Sequence, residues 1–216
     1  MPHESAGPPL SGRRAQAARN DTAILTAARE VFVADPDAPV AAVAQAAGVG
    51  ISALYRRYPS KEELLATLCL EGLRGFVEVA RSALEVDDPW TSFETFLRGV
   101  VAADVHSLSV HLAGRFTPTP EHAALADEAG VHAERILRRA QDAGVVRADV
   151  VDTDLPMVYE QLAAIRLGDP ERVAALRRRY VELHLAGLRA ASEPPGPLPE
   201  RAPTHAELGA RWVPRT

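Results

Sequence analysis

The side chains best suited to chemistry are gathered in one short run, GISALYRRYPSK, from Gly50 to Lys61. Tyr55, Arg56, Arg57 and Lys61 supply a phenol, two guanidinium forks and an ammonium, a donor set matched to phosphate oxygens. Lys61 is the single lysine of a chain with 24 Lys+Arg. Just upstream, Gly50, Ser52 and Ala53, with Ile51 among them, are small enough to let the backbone approach base edges. The chemistry this pattern offers is sequence reading beside a polyanion.

Catalysis has less support. The seven histidines stand at 3, 106, 111, 122, 132, 184 and 205. No two are spaced i, i+4, and no H-E-x-x-H is present. Glu128 and His132 share a helical face, but no third metal ligand accompanies them. There is no phosphate loop and no G-x-S-x-G. Cys69 is the only cysteine, which excludes intrachain disulfides and multi-cysteine metal sites. Its place on an apolar helical face predicts a buried, inert thiol. No cofactor, no metal and no catalytic residue is expected.

Three short helices must position the GISALYRRYPSK run. Asn20 or Asp21 can cap a first helix whose apolar residues Ile24, Leu25, Ala28, Val31 and Phe32 recur at helical spacing. After the break at 35 to 39, Val40 to Ala47 reads as a second helix with Val40, Val43, Ala44 and Ala47 on one face. Gly48 supplies the turn, and a third helix runs from about Ile51 to Tyr58, with Val49 and Leu54 pointing inward. Helix, glycine turn and helix describe a helix-turn-helix. The major groove, about 12 Å wide, admits one helix, and a preceding helix braces it. Ser60 and Glu63 form a capping box that opens a long helix through Leu64, Leu65, Leu68, Leu73 and Phe76.

Charge follows the same division. Residues 12 to 61 hold seven basic and four acidic side chains, a balance of +3, which leaves −8 for the rest of a chain of net charge −5. A basic module on an acidic body points to a polyanionic partner, although scatter alone can give +3 over fifty residues.

Beyond Pro89 the helical punctuation continues: Trp90 to His106, then 107 to 116. A further helix has Thr119 as cap and Pro120 at its first position, and ends at Gly144. Two more follow, at about 153 to 167 and 170 to 191. The expected fold is all-α, with about nine helices and no sheet. The expected domains are a flexible N-terminal arm (1–18), a helix-turn-helix domain (19–62), a helical domain (63–192) and a Pro-rich disordered tail (193–216). At 47% hydrophobic and 25% charged residues the composition is that of a folded globular chain. No apolar run approaches the ~18 residues of a membrane span, and no signal peptide is read at the N-terminus. A soluble cytoplasmic protein with no membrane partner is therefore expected.

Residues 20 to 68 resemble the DNA-binding domain of the TetR family of bacterial transcriptional regulators. The family's first-helix core, IL-x-AA-x-x-x-F, is matched by Ile24-Leu25-Thr26-Ala27-Ala28 and Phe32. Its second motif is matched by Val43-Ala44-Gln45-Ala46-Ala47-Gly48-Val49-Gly50, then Leu54-Tyr55-Arg56-Arg57-Tyr58 and Lys61 to Leu64. Residues 138 to 156 are similar to one large regulator subgroup. The resemblance implies that Gly50, Ile51, Ser52, Ala53, Tyr55, Arg56, Arg57 and Lys61 face DNA, with Lys61 approaching a phosphate at a helix N-terminus. Three departures stand out. Ala38 and Pro39 replace the threonines that begin the second helix, Gly50 replaces a serine, and Arg57-Tyr58 replaces a histidine-aromatic pair. Arg13, Arg14 and Arg19 are either a minor-groove arm or a solubilising tail.

For the second domain the resemblance implies a small-molecule pocket and a dimer interface. Phe76, Phe93, Phe96, His111, Arg115, Met157 and Tyr159, with Trp90, His106 and Phe116, lie on helices that line such pockets, and core packing is the competing assignment for each aromatic. His111 and Arg115 are i, i+4. Leu176, Tyr180, Leu183, Gly187 and Leu188 form the stripe expected to pair two copies, or to pack inside the chain. The implied protein is a ligand-responsive homodimeric repressor on a palindromic operator. Its partners are double-stranded DNA, a second copy and a small-molecule effector. A constitutive DNA-binding regulator and a small helical enzyme are the alternatives.

Overall fold

The structure, a computed structural model, describes residues 12–104, 112–191 and 196–212, with side chains from residue 19 onward and excluding that of residue 211. Nine α-helices are present among them and no β-strand; a lone antiparallel bridge joins Val146 to Arg189. The chain divides into two compact units, Met1–Leu64 and Leu65–Thr216.

The first unit is built from α1 (Gly12–Ala34), α2 (Val40–Ala46) and α3 (Ile51–Arg57). Its core joins Ile24, Ala28 and Phe32 of α1 to Val43 of α2 and Leu54 of α3, all nearly or fully buried. The α2–α3 turn is closed by a C-terminal cap with two reversed bonds. Gly48 N–H donates to Gln45 O at 3.1 Å and Val49 N–H to Ala44 O at 3.0 Å. Gly48 has φ +65°, the left-handed conformation that such a cap requires and that glycine adopts without strain. At the far end Glu63 N–H donates to Ser60 Oγ at 3.0 Å, the expected N-cap of α4 (Lys61–Leu84).

The second unit contains the length of α4 from Leu65 onward, α5 (Pro89–Ala102), α6 (Pro120–Asp142), α7 (Asp154–Ala163) and α8 (Pro170–Leu188). A short α9 (His205–Gly209) runs into a 3₁₀ turn at Ala210–Trp212. Three helices carry a proline at their first position, Pro120 and Pro170 as expected and Pro89, which was read as part of the preceding break. Asp88 and Asp169 cap two of them by accepting from the backbone N–H of Thr91 and Arg172, both at 2.8 Å. The core gathers Phe93, Phe96, Leu97 and Val100 of α5 with Ile136, Leu137 and Ala140 of α6, Leu155 and Leu162 of α7, and Val181 and Leu185 of α8.

Two domain expectations are corrected. Residues 12–18, read as part of a flexible arm, are the first turns of α1. The 193–216 segment, read as a disordered tail from its prolines, contains α9. The signal for that helix is Thr204 and Glu207, whose side chains and backbone N–H groups cap each other reciprocally. Of the helix expected at 107 to 116, residues 107–111 lie outside the described residues and 112–116 are mostly turn and bend.

Candidate functional site: a nucleic-acid interface and an apolar cavity

The third helix presents two faces set by its spacing. Leu54 is fully buried. Gly50, Ile51, Ser52, Tyr55, Arg56 and Arg57 are exposed and Ala53 is half-buried. Ile51 and Tyr55, one turn apart, remain 40% and 46% exposed, a notable exposure for large apolar side chains in a unit this small. Small groups at the helix start, an apolar and aromatic row, and an outward Arg56 make a surface able to enter a groove and touch phosphates.

The two remaining cations are committed to the fold. Arg57 Nε lies 2.8 Å from Asp21 Oδ1 and its Nη2 donates to Asp21 Oδ2 at 3.1 Å. Tyr58 donates its hydroxyl to the same carboxylate at 2.6 Å. The hydrogen bond with Asp21 is the chief cause that raises the Arg57 pKa above its ordinary value. Asp21, expected as a helix cap, is thus the anchor that ties α1 to the end of α3. Lys61, half-buried, donates to the Ala38 carbonyl at 2.8 Å and lies 5.1 Å from the Phe32 ring centroid. Ala38 is where the sequence departs from the family threonine, and its backbone oxygen engages the lysine.

The second unit contains a cavity of about 530 Å³ between α4, α6, α7 and the α9 segment. The room comes from small side chains on one face of α6: Ala123, Ala126, Ala129, Gly130 and Ala133. Opposite them stand Cys69, Gly72, Leu73 and Phe76 of α4, with Leu155, Pro156 and Tyr159 of α7. Cys69 is buried, as expected, and burial pushes its thiol up to about 12, away from the reactive thiolate. Burial likewise raises the Tyr159 phenol. His122 borders the cavity and bridges two helices. Its Nε2 lies 2.9 Å from Ala66 O of α4, so it donates there, and Nδ1 accepts from Thr119 N–H at 3.2 Å and Thr119 Oγ1 at 2.8 Å. This fixes the neutral Nε2–H tautomer.

Of the expected pocket residues, Phe76 and Tyr159 line the cavity, as does Phe116. Phe93 and Phe96 do not, because both are fully buried in the helical core. Phe96 meets the cavity only through the rings of Phe76 and Tyr159, edge-to-face at 5.4 and 6.5 Å. Met157 is half-buried away from the lining, since it points about 100° from Pro156 and about 200° from Tyr159 around α7. Arg115 is exposed and does not line the cavity, and His111 lies outside the described residues. The dimer stripe also splits. Leu176 is buried and Leu188 packs against the chain's own core, whereas Tyr180 and Leu183 are 42% and 59% exposed and Gly187 is exposed beside them. Glu128 and His132 approach at 3.3 Å but Arg81 takes the same carboxylate, and no group of three metal-ligating side chains occurs among the described residues. No helix there is long and apolar enough to cross a membrane.

The fold and the exposed α3 define a helix-turn-helix DNA-binding regulator with a separate helical unit. Residues 24–68 match the family model of bacterial regulatory proteins of the tetR family, and residues 88–190 match that of the SbtR-like transcriptional regulator C-terminal domain. Solved structures agree. A TetR transcription regulatory protein from Mycobacterium vanbaalenii is 26% identical, with TM-score 0.56 over 82% of this chain and 99% of its own. PfmR from Thermus thermophilus is 27% identical, with TM-score 0.54 over 76% of this chain and 97% of its own. LfrR from Mycobacterium smegmatis, solved in complex with proflavine, shares the fold at 21% identity and TM-score 0.53, over 76% of this chain and 95% of its own. No curated protein sequence matches. The chain belongs to the TetR family of DNA-binding transcriptional regulators, which are not enzymes.

Proposed function

We propose that the protein is a cytoplasmic, ligand-responsive repressor that binds a palindromic operator as a homodimer. The observation that carries the reading is the exposed row Ile51, Tyr55 and Arg56 on a helix braced by a buried Leu54 and a closed glycine turn. In this reading Gly50, Ser52 and Ala53 stand near base edges, and Tyr55 and Arg56 hold phosphates. Arg57 and Lys61 keep the frame in register and offer their remaining donors to the backbone. Lys61 spends one of three N–H groups on Ala38, which leaves two for a phosphate.

One α3 makes too few contacts for specificity, so a second copy must supply another about one DNA turn, ~34 Å, away. The exposed Tyr180, Leu183 and Gly187 of α8 support that pairing: two bulky apolar groups flank a position where an added Cβ meets nothing within 4 Å.

The cavity supports the effector. It favours a ligand-responsive regulator over a constitutive one, for which a solid second unit is expected. Helix α4, which begins at Lys61, is the rod that carries Phe76 on the cavity wall. His122 ties that rod at Ala66 to the first turn of α6. A ligand that favours one setting of α4 over another shifts the population able to reach both half-sites. Reversing a 1:99 population takes about 10⁴-fold differential affinity. Titration of the purified protein onto its own upstream DNA, with scrambled DNA as control, tests the reading. Preference for the native sequence with a steep salt dependence is expected; equal binding to both contradicts operator recognition.

A further inference from the structure

The chain after α8 is described again from Gly196 to Trp212, beyond residue 190 where the family match ends. This strap is fastened along the second unit. Arg147 grips Asp149 through Nε at 2.9 Å and Nη2 at 2.7 Å, and Asp149 Oδ2 accepts from Leu198 N–H at 3.0 Å. His205 Nε2 lies 3.3 Å from Asp152 Oδ2. Within the strap Arg201 forms a two-bond pair with Glu207, both at 2.9 Å, which also caps α9. The strap ends with Trp212 edge-to-face on Phe116 at 6.0 Å. The consequence is that Leu208, Gly209 and Trp212 become a wall of the cavity.

We propose that residues 196–212 are a lid over the cavity, contributing Leu208 and Trp212 as ligand contacts, and that the molecule it encloses is uncharged and largely apolar with a ring system. The proposal rests on the reading of the cavity as the effector site. Its volume lies within the roughly 300–1,000 Å³ of sites for drug-sized ligands. Phe76, Phe116, Tyr159 and Trp212 supply aromatic walls against the small face of α6. Of the polar groups that line it, both ring nitrogens of His122 are engaged, and Asp152 is held by His205. Among the described residues no arginine or lysine lines the cavity, and the one exposed imidazole there, His205, already faces Asp152. Asp152 is the one acid present.

The strap is the wall that can move at least cost. The walls of α4, α6 and α7 belong to helices packed in the core. The strap is tied to the unit by the Leu198 N–H on Asp149 and by the pair of His205, 80% exposed, with Asp152, and an exposed pair contributes little. Local opening is drawn from segments of this kind. Admission and release of the ligand therefore depend on undocking of Leu208 and Trp212.

The test uses the full chain and a pair of fluorescent probes that differ by one charged group: uncharged phenylnaphthylamine and anionic anilinonaphthalene sulfonate. Uptake and release are followed by stopped-flow fluorescence. The parent chain is expected to take up the uncharged probe saturably and at least about tenfold more tightly than the anionic one. Ala126→Phe, which fills the cavity from α6, abolishes uptake. Leu208→Ala with Trp212→Ala accelerates both uptake and release by at least about tenfold, with helix content unchanged by circular dichroism, and Trp212→Phe restores slow exchange. Unchanged rates in the double variant, with uptake still abolished by Ala126→Phe, overturn the lid and leave the cavity reading intact. Preference for the anionic probe overturns the ligand class. No saturable uptake by the parent overturns the cavity reading, and the lid with it.

Discussion

The Lys61 ammonium donates to the carbonyl of Ala38 at 2.8 Å, joining the first residue of α4 to the segment that enters α2. The bond spans the helix-turn-helix from outside and fixes where α2 starts relative to α4. Lys61→Met keeps an unbranched side chain of similar length and removes the donors. Thermal unfolding is expected to show a loss of about 1–2 kcal/mol. Salt titrations of DNA binding are expected to flatten by about 0.9 in slope for each phosphate that is no longer neutralised. An unchanged slope restricts Lys61 to the intramolecular clip.

Arg56 and Arg57 are adjacent but have different duties. Arg56→Ala is expected to weaken binding to every DNA sequence and reduce the salt slope while leaving unfolding unchanged. Tyr58→Phe removes a 2.6 Å bond to the Asp21 carboxylate and is expected to cost about 1–2 kcal/mol of stability. Arg57→Ala, whose pair with Asp21 is largely exposed, is expected to cost less, within ~1 kcal/mol. Denaturant melts of the three variants order the effects; a destabilised Arg56→Ala contradicts the division.

Gly48→Ala isolates a backbone effect. An added Cβ meets nothing within 4 Å, so the only penalty is the left-handed φ of +65°. A loss of about 1–2 kcal/mol is expected from equilibrium unfolding, with DNA affinity falling in parallel. Full stability would mean that the turn adopts another conformation.

Tyr180→Glu with Leu183→Glu places charges on the exposed face of α8 without touching the buried Val181 and Leu185. Sedimentation is expected to report a monomer that retains native helix content, and operator binding is expected to fall by orders of magnitude because half-sites are no longer linked. A dimer that persists moves the pairing surface elsewhere.

The strap has its own pH signature. Bonds from Arg147 hold the Asp149 carboxyl at about 2, and the Arg201 pair holds that of Glu207 at about 2. Both are depressed from ordinary values of 3.8 and 4.5. Their stabilising contribution is present above those ordinary values and is lost as pH falls toward 2. Proteolysis within 196–204 is expected to accelerate in that acid window before the core helices yield. Unaltered cleavage relative to neutral pH, corrected for protease activity, contradicts the assignment of these ties.

The DNA-reading unit was legible in the sequence because its signals are local. Gly48 marks the turn, Leu54 the inward face and Ser60 the cap of α4, and each needs only residues within one turn of itself. The long-range partners were not legible. Asp21 lies 36 residues from Arg57 and Ala38 lies 23 from Lys61, and a backbone carbonyl carries no sequence signature at all. Of the residues expected at a pocket, Phe76 of α4 and Tyr159 of α7 line the cavity, whereas none was expected on α6, which supplies much of its wall. Aromatic spacing marks where a helix is buried, and Phe93 and Phe96 are buried in the core. An empty volume is instead marked by absent bulk, as at Ala126, Gly130 and Ala133, a pattern indistinguishable in sequence from ordinary helix-forming alanine. The strap was hidden by its prolines, although the Thr204–Glu207 cap was there to be read.

The central claim is tested most directly by fluorescence anisotropy of the protein's own upstream DNA, titrated at two salt concentrations against a scrambled duplex, with Tyr55→Ala/Arg56→Ala as control. Tight binding to the native duplex, a steep fall with salt, weak binding to the scrambled one, and loss of both preference and salt slope in the control are expected. No binding to either duplex at low salt, or binding unaffected by removal of Tyr55 and Arg56, would contradict the assignment of α3 as the DNA reader.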